Sequence, residues 1–178
     1  MSEVSQSDAS HEVQALREEK IIVYPTEAVW GLGCDPASET AVRTLLALKQ
    51  RPMHKGLILI AKDYGQVLKY VADEQIPMDR RTDIFSRWPG AVTWLLPAST
   101  SAPEWITGGN ELIAVRVSAH PTVQRICREF GGPLVSTSAN LSGQPTPTRL
   151  AQVRELLGQH VTVYVDEPLG TNDQPSTI

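Results

Sequence analysis

Three cations fall within seven residues at Lys49, Arg51 and Lys55, where one apolar stretch ends at Pro52 and another begins at Leu57. The planar fork of Arg51 suits two-point contact with phosphate or carboxylate oxygens, and the ammonium groups add point charge. Phosphate binding is one use of such a cluster. The alternative is that cations at a helix C-terminus merely complement the helix dipole. A second group runs Ser136-Thr137-Ser138-Ala139-Asn140, then Ser142-Gly143 and Pro145-Thr146-Pro147-Thr148, just past an apolar run. Hydroxyls and amides in that position either hold oxyanions, with backbone N–H groups helping, or form an ordinary polar turn. Pro25-Thr26-Glu27 leads into Gly31-Leu32-Gly33, whose glycines permit a tight loop. Arg116 is a lone cation among apolar residues, either facing solvent or serving a site.

Other chemistries lack their residues. There is no GxGxxG and no Walker lysine, so standard dinucleotide and P-loop sites are excluded. No GxSxG elbow occurs, which argues against a serine hydrolase. His11, His54, His120 and His160 are scattered without HxxxH spacing or cysteine pairing, so no metal site is expected. Trp30, Trp88, Trp94 and Trp105 read as core or rim residues rather than stacking platforms.

The elements that must carry these groups can be read from periodicity. Ala9, Val13 and Leu16 share one face of a short helix over 9–20, followed by a buried strand over 21–24 that Pro25 stops. Residues 25–36, with two glycines and two prolines, are expected to be largely loop. Ser38 caps a helix through Lys49, with Val42, Leu45, Leu46 and Leu48 inward. Residues 57–60 read as a central strand, 63–70 and 79–87 as helical, and 92–96 as extended. Over 112–117, Ile113, Val115 and Val117 take one face, while Arg116 takes the other with Leu112 and Ala114. Pro121 opens a helix whose Val123, Ile126, Cys127 and Phe130 follow helical spacing, and Gly131-Gly132 ends it. A short strand over 134–137, a helix capped by Thr148 and running to Leu157, and a strand over 161–165 complete the chain. Helices and strands mix without strict βαβ alternation. The expected fold is therefore a single α/β domain over 9–178, built on a twisted mixed sheet, after a disordered stretch over 1–8.

Composition narrows the class further. With 178 residues, 41% hydrophobic and 20% charged, the chain is long and apolar enough to form a core without disulfide or metal staples. No apolar run approaches the length that spans a bilayer, and the polar first dozen residues do not resemble a signal segment. Two cysteines outside any CxxC spacing suit a reducing compartment, so the expected location is cytoplasmic, with no membrane partner. Cys127, on an apolar stripe, is expected in the core. A net charge of −4 argues against a general nucleic-acid binder, although 11 arginines against 5 lysines favour forked anion contacts.

Taken in order, these clusters resemble the YrdC/TsaC family of threonylcarbamoyl-AMP synthases, of the short bacterial type. PTEAVWGLGCD resembles the opening signature, and KQRPMHKGLILI carries a K-x-R element at Lys49 and Arg51. STSANLSGQPTPT carries an S-x-N element at Ser138 and Asn140, and Pro175-Ser176-Thr177 resembles a late motif. The likeness runs from about residue 12 to the last residue. It implies a twisted mixed sheet flanked by helices, with an open concave face. It also implies a nucleotidyltransferase that makes L-threonylcarbamoyladenylate and pyrophosphate from L-threonine, bicarbonate and ATP.

By the same resemblance, Lys49, Arg51, Ser138 and Asn140 are the catalytic set, and Lys49, Arg51 and Lys55 neutralise the phosphates. Ser138, Asn140, Thr146 and Ser176 complete the ATP site, while Thr26, Ser136 and Arg116 hold threonine. Mg2+ is expected to travel with ATP, because no carboxylate cage is visible in the sequence. The product is expected to pass to proteins that transfer the threonylcarbamoyl group to tRNA, with at most a weak tRNA contact by this chain. The chain stops at Ile178, inside a motif that family members usually extend into a further strand, so the catalytic tail is expected to be incomplete.

Two rivals share the resemblance. One is an RNA-binding or ribosome-maturation module of the same fold without catalysis, which the intact Lys49, Arg51, Ser138 and Asn140 set disfavours. The other is a carbamoyl-transfer domain of the hydrogenase-maturation type, which normally belongs to a much longer chain.

Overall fold

The computed structural model describes residues 10–141 and 143–170. The expectations for residues 1–9 and for Pro175-Ser176-Thr177 lie outside the described residues. Among the described residues, six α-helices and seven strands alternate irregularly along the chain. The strands are β1 (Ile22–Pro25), β2 (Trp30–Gly33), β3 (Ile58–Ala61), β4 (Thr93–Pro97), β5 (Leu112–Val117), β6 (Leu134–Ser138) and β7 (Val163–Tyr164). The helices are α1 (His11–Arg17), α2 (Glu39–Lys49), α3 (Met78–Ser86), α4 (Glu104–Thr107), α5 (Pro121–Phe130) and α6 (Leu150–Leu157).

The strands form one mixed sheet in the order β4-β5-β3-β6-β2-β1-β7. β3 runs parallel to β5 and β1 parallel to β7, and the other neighbours are antiparallel. Pleating sends alternate residues to opposite faces. On one face Leu59, Val115, Val135, Leu32 and Val23 join Val42 and Leu45 of α2, Ile106 of α4, and Val153 and Leu157 of α6. Each such buried side chain contributes about 1.5–3 kcal/mol of apolar transfer.

The other face is divided into two halves. Ile60, Leu134 and Ile22 lie beneath α1 and α5, packed by Val13, Leu16, Val123, Ile126 and Cys127. One pleat further along, Leu95 pairs with Ala114, Ala114 with Ile58, and Ile58 with Ser136. Leu95 is 52% exposed, and the Ala114, Ile58 and Ser136 positions are only partly buried, so this half of the sheet is open. Helix placement on this face therefore leaves a hollow floored by strand residues.

Residues 25–36 are loop only in part, because Trp30–Gly33 is a strand paired with both β1 and β6. Its glycines serve close packing rather than a turn. A Cβ on Gly33 would lie 2.3 Å from the Val135 carbonyl oxygen, and one on Gly31 would lie 2.9 Å from the Tyr24 ring. Glycine here lets a buried tyrosine pass under a central strand.

Smaller differences also have local causes. The 63–70 segment is a 3-10 helix over Tyr64–Tyr70. Thr148 does not cap α6, which starts after Arg149 without a side-chain cap. The Thr148 carbonyl instead accepts from Trp30 Nε1 at 3.1 Å. The last strand shortens to Val163–Tyr164, although Thr162 and Val165 still donate to Ile21 and Val23 of the β1 region.

Candidate active site

α2 begins as its sequence dictates, with Ser38 Oγ accepting from the Ala41 N–H at 3.1 Å. It ends with Gln50 in the left-handed region at φ 51°, where the Arg51 N–H closes back onto the Leu46 carbonyl. This reversal sends Lys49 and Arg51 to different tasks. Lys49 is 7% exposed and donates to the Ser138 carbonyl at 2.7 Å, to the Asn140 carbonyl at 3.0 Å, and to Asn140 Oδ1. Ser138 Oγ donates to the same Asn140 Oδ1 at 2.7 Å, and Asn140 Nδ2 donates to the Gln144 carbonyl. Lys49 of the K-x-R element and the S-x-N element, about ninety residues apart, are thus one hydrogen-bonded unit. Burial first, and then the charge of Arg51, bring the Lys49 ammonium down to about 8.

Arg51 lies past the helix cap, with Nε and Nη2 both donating to the Gly56 carbonyl at 3.1 and 3.0 Å. One edge of its guanidinium is fixed by the backbone. Arg51 also lines two hollows on the open half of the sheet. A cavity of 340 Å³ is bounded by Thr26, Gly31, Arg51, Arg116, Ser136 and Ser138, among others. A larger one of 660 Å³ runs from Arg51 and Lys55 over Ile58, Leu95, Leu112 and Ala114. Leu57 and Ile58 line both, so the two hollows adjoin over β3.

Arg116 does not sit on a solvent face. It is 7% exposed and paired through Nη2 with Glu27 Oε1. Its Nε is buried without a partner among the described residues. Thr26 Oγ1 donates to the Val29 carbonyl at 2.6 Å, so that hydroxyl offers the cavity only its lone pairs. Thr146 stands farther along the loop, outside the residues lining either hollow, and Ser176 lies outside the described residues.

Glu27 is the residue that sequence reading left without a role, although it stood in the Pro25-Thr26-Glu27 run. Burial pushes its carboxyl pKa up, but Arg116, the Ala119 N–H and the Ser118 hydroxyl more than offset this, and the net shift is downward. Its partner is 89 positions away. The only sequence signal was the pairing of one isolated acid with one isolated arginine. Both cysteines are buried, and burial raises the Cys127 thiol to about 12, which fits a packing role. Trp30, Trp88 and Trp105 each donate Nε1 to a backbone carbonyl, which braces the loops they touch.

Fold and site together define an α/β domain whose open sheet face carries a groove lined by Arg51, Lys55 and Arg116. The chain belongs to the Sua5/YciO/YrdC family, whose model, described as "Telomere recombination", matches residues 14–178. It is 58% identical over 173 residues to a threonylcarbamoyl-AMP synthase of Pseudoalteromonas translucida (strain TAC 125), covering 97% of this chain and 92% of that protein. A threonylcarbamoyl-AMP synthase of Yersinia enterocolitica is 55% identical over 151 residues, covering 85% of this chain and 80% of that one. Among solved structures, P. abyssi Sua5 complexed with L-threonine superposes with a TM-score of 0.82 at 32% identity, covering 89% of this chain and 46% of that one. This chain thus spans about half the length of that Sua5 structure. E. coli YciO, at 22% identity, shares the fold, with a TM-score of 0.80 over 93% of this chain and 79% of that one.

Proposed function

We propose that this chain makes L-threonylcarbamoyladenylate, with pyrophosphate as the second product. Threonine's amine and bicarbonate give a carbamate and water. A carbamate oxygen then attacks the α-phosphorus of ATP, and the bond to the bridging oxygen breaks as pyrophosphate leaves. The observation that carries this reading is that Arg51 lines both hollows, one of amino-acid size and one large enough for a nucleotide. Relatives at 53–58% identity bear the name threonylcarbamoyl-AMP synthase, and the assignment to this chain agrees with them.

Each group then has a physical task. Threonine occupies the smaller hollow, with its carboxylate on Arg116 and its polar atoms near Thr26 and Ser136. The nucleoside lies over the apolar floor of Leu95, Leu112 and Ala114, with the phosphates toward Arg51, Lys55 and Ser138. Arg51, already braced by Gly56, keeps donors for oxygens that gain charge as the α-phosphorus is attacked. Lys49 adds charge from behind the loop and holds Ser138 and Asn140 in place. Thr146 and Ser176 keep the ATP-binding role that the family resemblance implies, and Mg2+ enters with ATP as part of the substrate.

The product passes in the cytoplasm to proteins that transfer the threonylcarbamoyl group to tRNA. Any tRNA contact by this chain itself is weak and salt-dependent, given a net charge of −4. Among the described residues no helix is long and apolar enough to cross a membrane.

The test is pyrophosphate release from ATP and threonine in buffer stripped of carbon dioxide, with and without added bicarbonate. Release that requires bicarbonate is the expected result. Equal release in both would mean aminoacyl-adenylate formation through the carboxylate and would overturn the reading. Threonine should exceed serine by about 10- to 200-fold, the discrimination that one methyl allows.

A further inference from the structure

Glu27 reaches from the bend between β1 and β2 to the far end of β5. Its Oε1 accepts from Arg116 Nη2 and from Ser118 Oγ at 2.9 Å, and its Oε2 accepts from the Ala119 N–H at 2.8 Å. One carboxylate therefore gathers the cation of β5 and the turn that leads into α5. The bend that carries it is clamped as well. The Gly170 N–H donates to the Thr26 carbonyl at 2.8 Å, and a Cβ on Gly170 would lie 2.5 Å from the Glu27 carbonyl oxygen. The next residue after Ala119, His120, joins its ring Nε2 to the Pro168 carbonyl at 2.8 Å, which ties the same segment to the start of α5.

Arg116 needs such a partner. A guanidinium only 7% exposed is costly to bury unless an opposite charge compensates it. Glu27 takes Nη2 alone, so Arg116, which lines the smaller hollow, keeps guanidinium donors that Glu27 does not occupy. A cavity-lining guanidinium with donors left over is where an anion would dock.

We infer that Glu27 is a positioning residue for amino-acid binding, holding one edge of the Arg116 guanidinium so that the remaining donors meet the carboxylate of the amino acid. This rests on the adenylate-forming reading given above. Glu27 does not act as the base that deprotonates the amine. Its oxygens are already committed to three donors, and its surroundings on balance favour the ionised form.

Steady-state pyrophosphate release by Glu27→Gln tests this. The KM for threonine should rise at least about tenfold, the lower end of what losing a charge-assisted contact costs, while the KM for ATP changes less than about twofold. In the double variant Glu27→Gln/Arg116→Lys, threonine KM should be little worse than in Arg116→Lys alone, because both act through one guanidinium. A folded Glu27→Gln protein with unchanged or lower threonine KM overturns the inference, as does an equal rise for both substrates. If Glu27→Gln does not fold, Ser118→Ala, which removes a single Glu27 contact, should raise threonine KM by about two- to fivefold. No rise there also overturns it. Should the wild-type protein release no pyrophosphate, the reaction reading fails on its own. Calorimetric threonine binding to the wild-type and variant proteins then still decides whether Glu27 positions Arg116.

Discussion

Lys49 Nζ lies 2.7 Å from the carbonyl oxygen of Ser138 and 3.0 Å from that of Asn140, so the last turn of α2 is bolted to the loop that leaves β6. A lysine expected to touch phosphate directly has its three donors on protein oxygens, counting Asn140 Oδ1. Its charge still acts on the groove, but its contacts order the loop that lines it.

That arrangement separates two neighbouring side chains. Ser138→Ala removes a donor from a partly exposed hydroxyl, so turnover should fall while the melting temperature barely moves. Asn140→Ala also removes an acceptor from the buried Lys49 ammonium, a loss of about 1–3 kcal/mol. For a chain of this length that is roughly 2–4 °C of melting temperature per kcal/mol, measurable by calorimetry. Equal melting temperatures for the two variants would show that Lys49 does not depend on Asn140.

Affinity for ATP should depend on pH through Lys49. Its pKa in the free protein is about 8, and a nearby triphosphate raises it again. Between the free and bound values, binding takes up a proton, so affinity falls as pH rises through that window. Titration calorimetry between about pH 7 and 9, in buffers of different ionisation enthalpy, should show this uptake. A pH-independent Kd with no proton uptake would mean that Lys49 does not feel the nucleotide.

Arg51→Lys should be damaging although the charge is kept. The fork that braces against the Gly56 carbonyl while facing both hollows has no equivalent in a single ammonium. The loss of one charge-assisted contact predicts a fall in kcat/KM of roughly 10- to 150-fold, about 1.5–3 kcal/mol. Wild-type pyrophosphate release from the folded variant would remove Arg51 from the site.

Gly33→Ala should destabilise the fold by about 1–3 kcal/mol or more, because its methyl would meet the fixed Val135 carbonyl and the Tyr24 ring. Gly132→Ala is the control, since a Cβ there meets nothing within 4 Å. Denaturant midpoints should fall for the first variant and stay near wild type for the second.

Much of this was legible in the chain. The apolar spacing of Val42, Leu45 and Leu46, and of Val123, Ile126 and Cys127, marks α2 and α5, because burial on one helical face imposes its own period. Ser38 and Gly131 mark their ends, because capping is satisfied within a few residues of chain. The cation cluster past Lys49 and the hydroxyls past Leu134 were visible for the same reason, as local runs beside local elements.

The tertiary structure decided what lies across the sheet. Trp30–Gly33 looked like loop because its glycines carry no pleat signal, and only the passage of Tyr24 beneath them explains why glycine is required. The burial of Arg116, its pairing with Glu27 and the grip of Lys49 on β6 each join residues about ninety positions apart. Periodicity reports which residues a segment buries, but not which segment it buries them against. That choice follows from strand order and helix placement, which minimise the free energy of the whole chain and leave no mark in any single stretch.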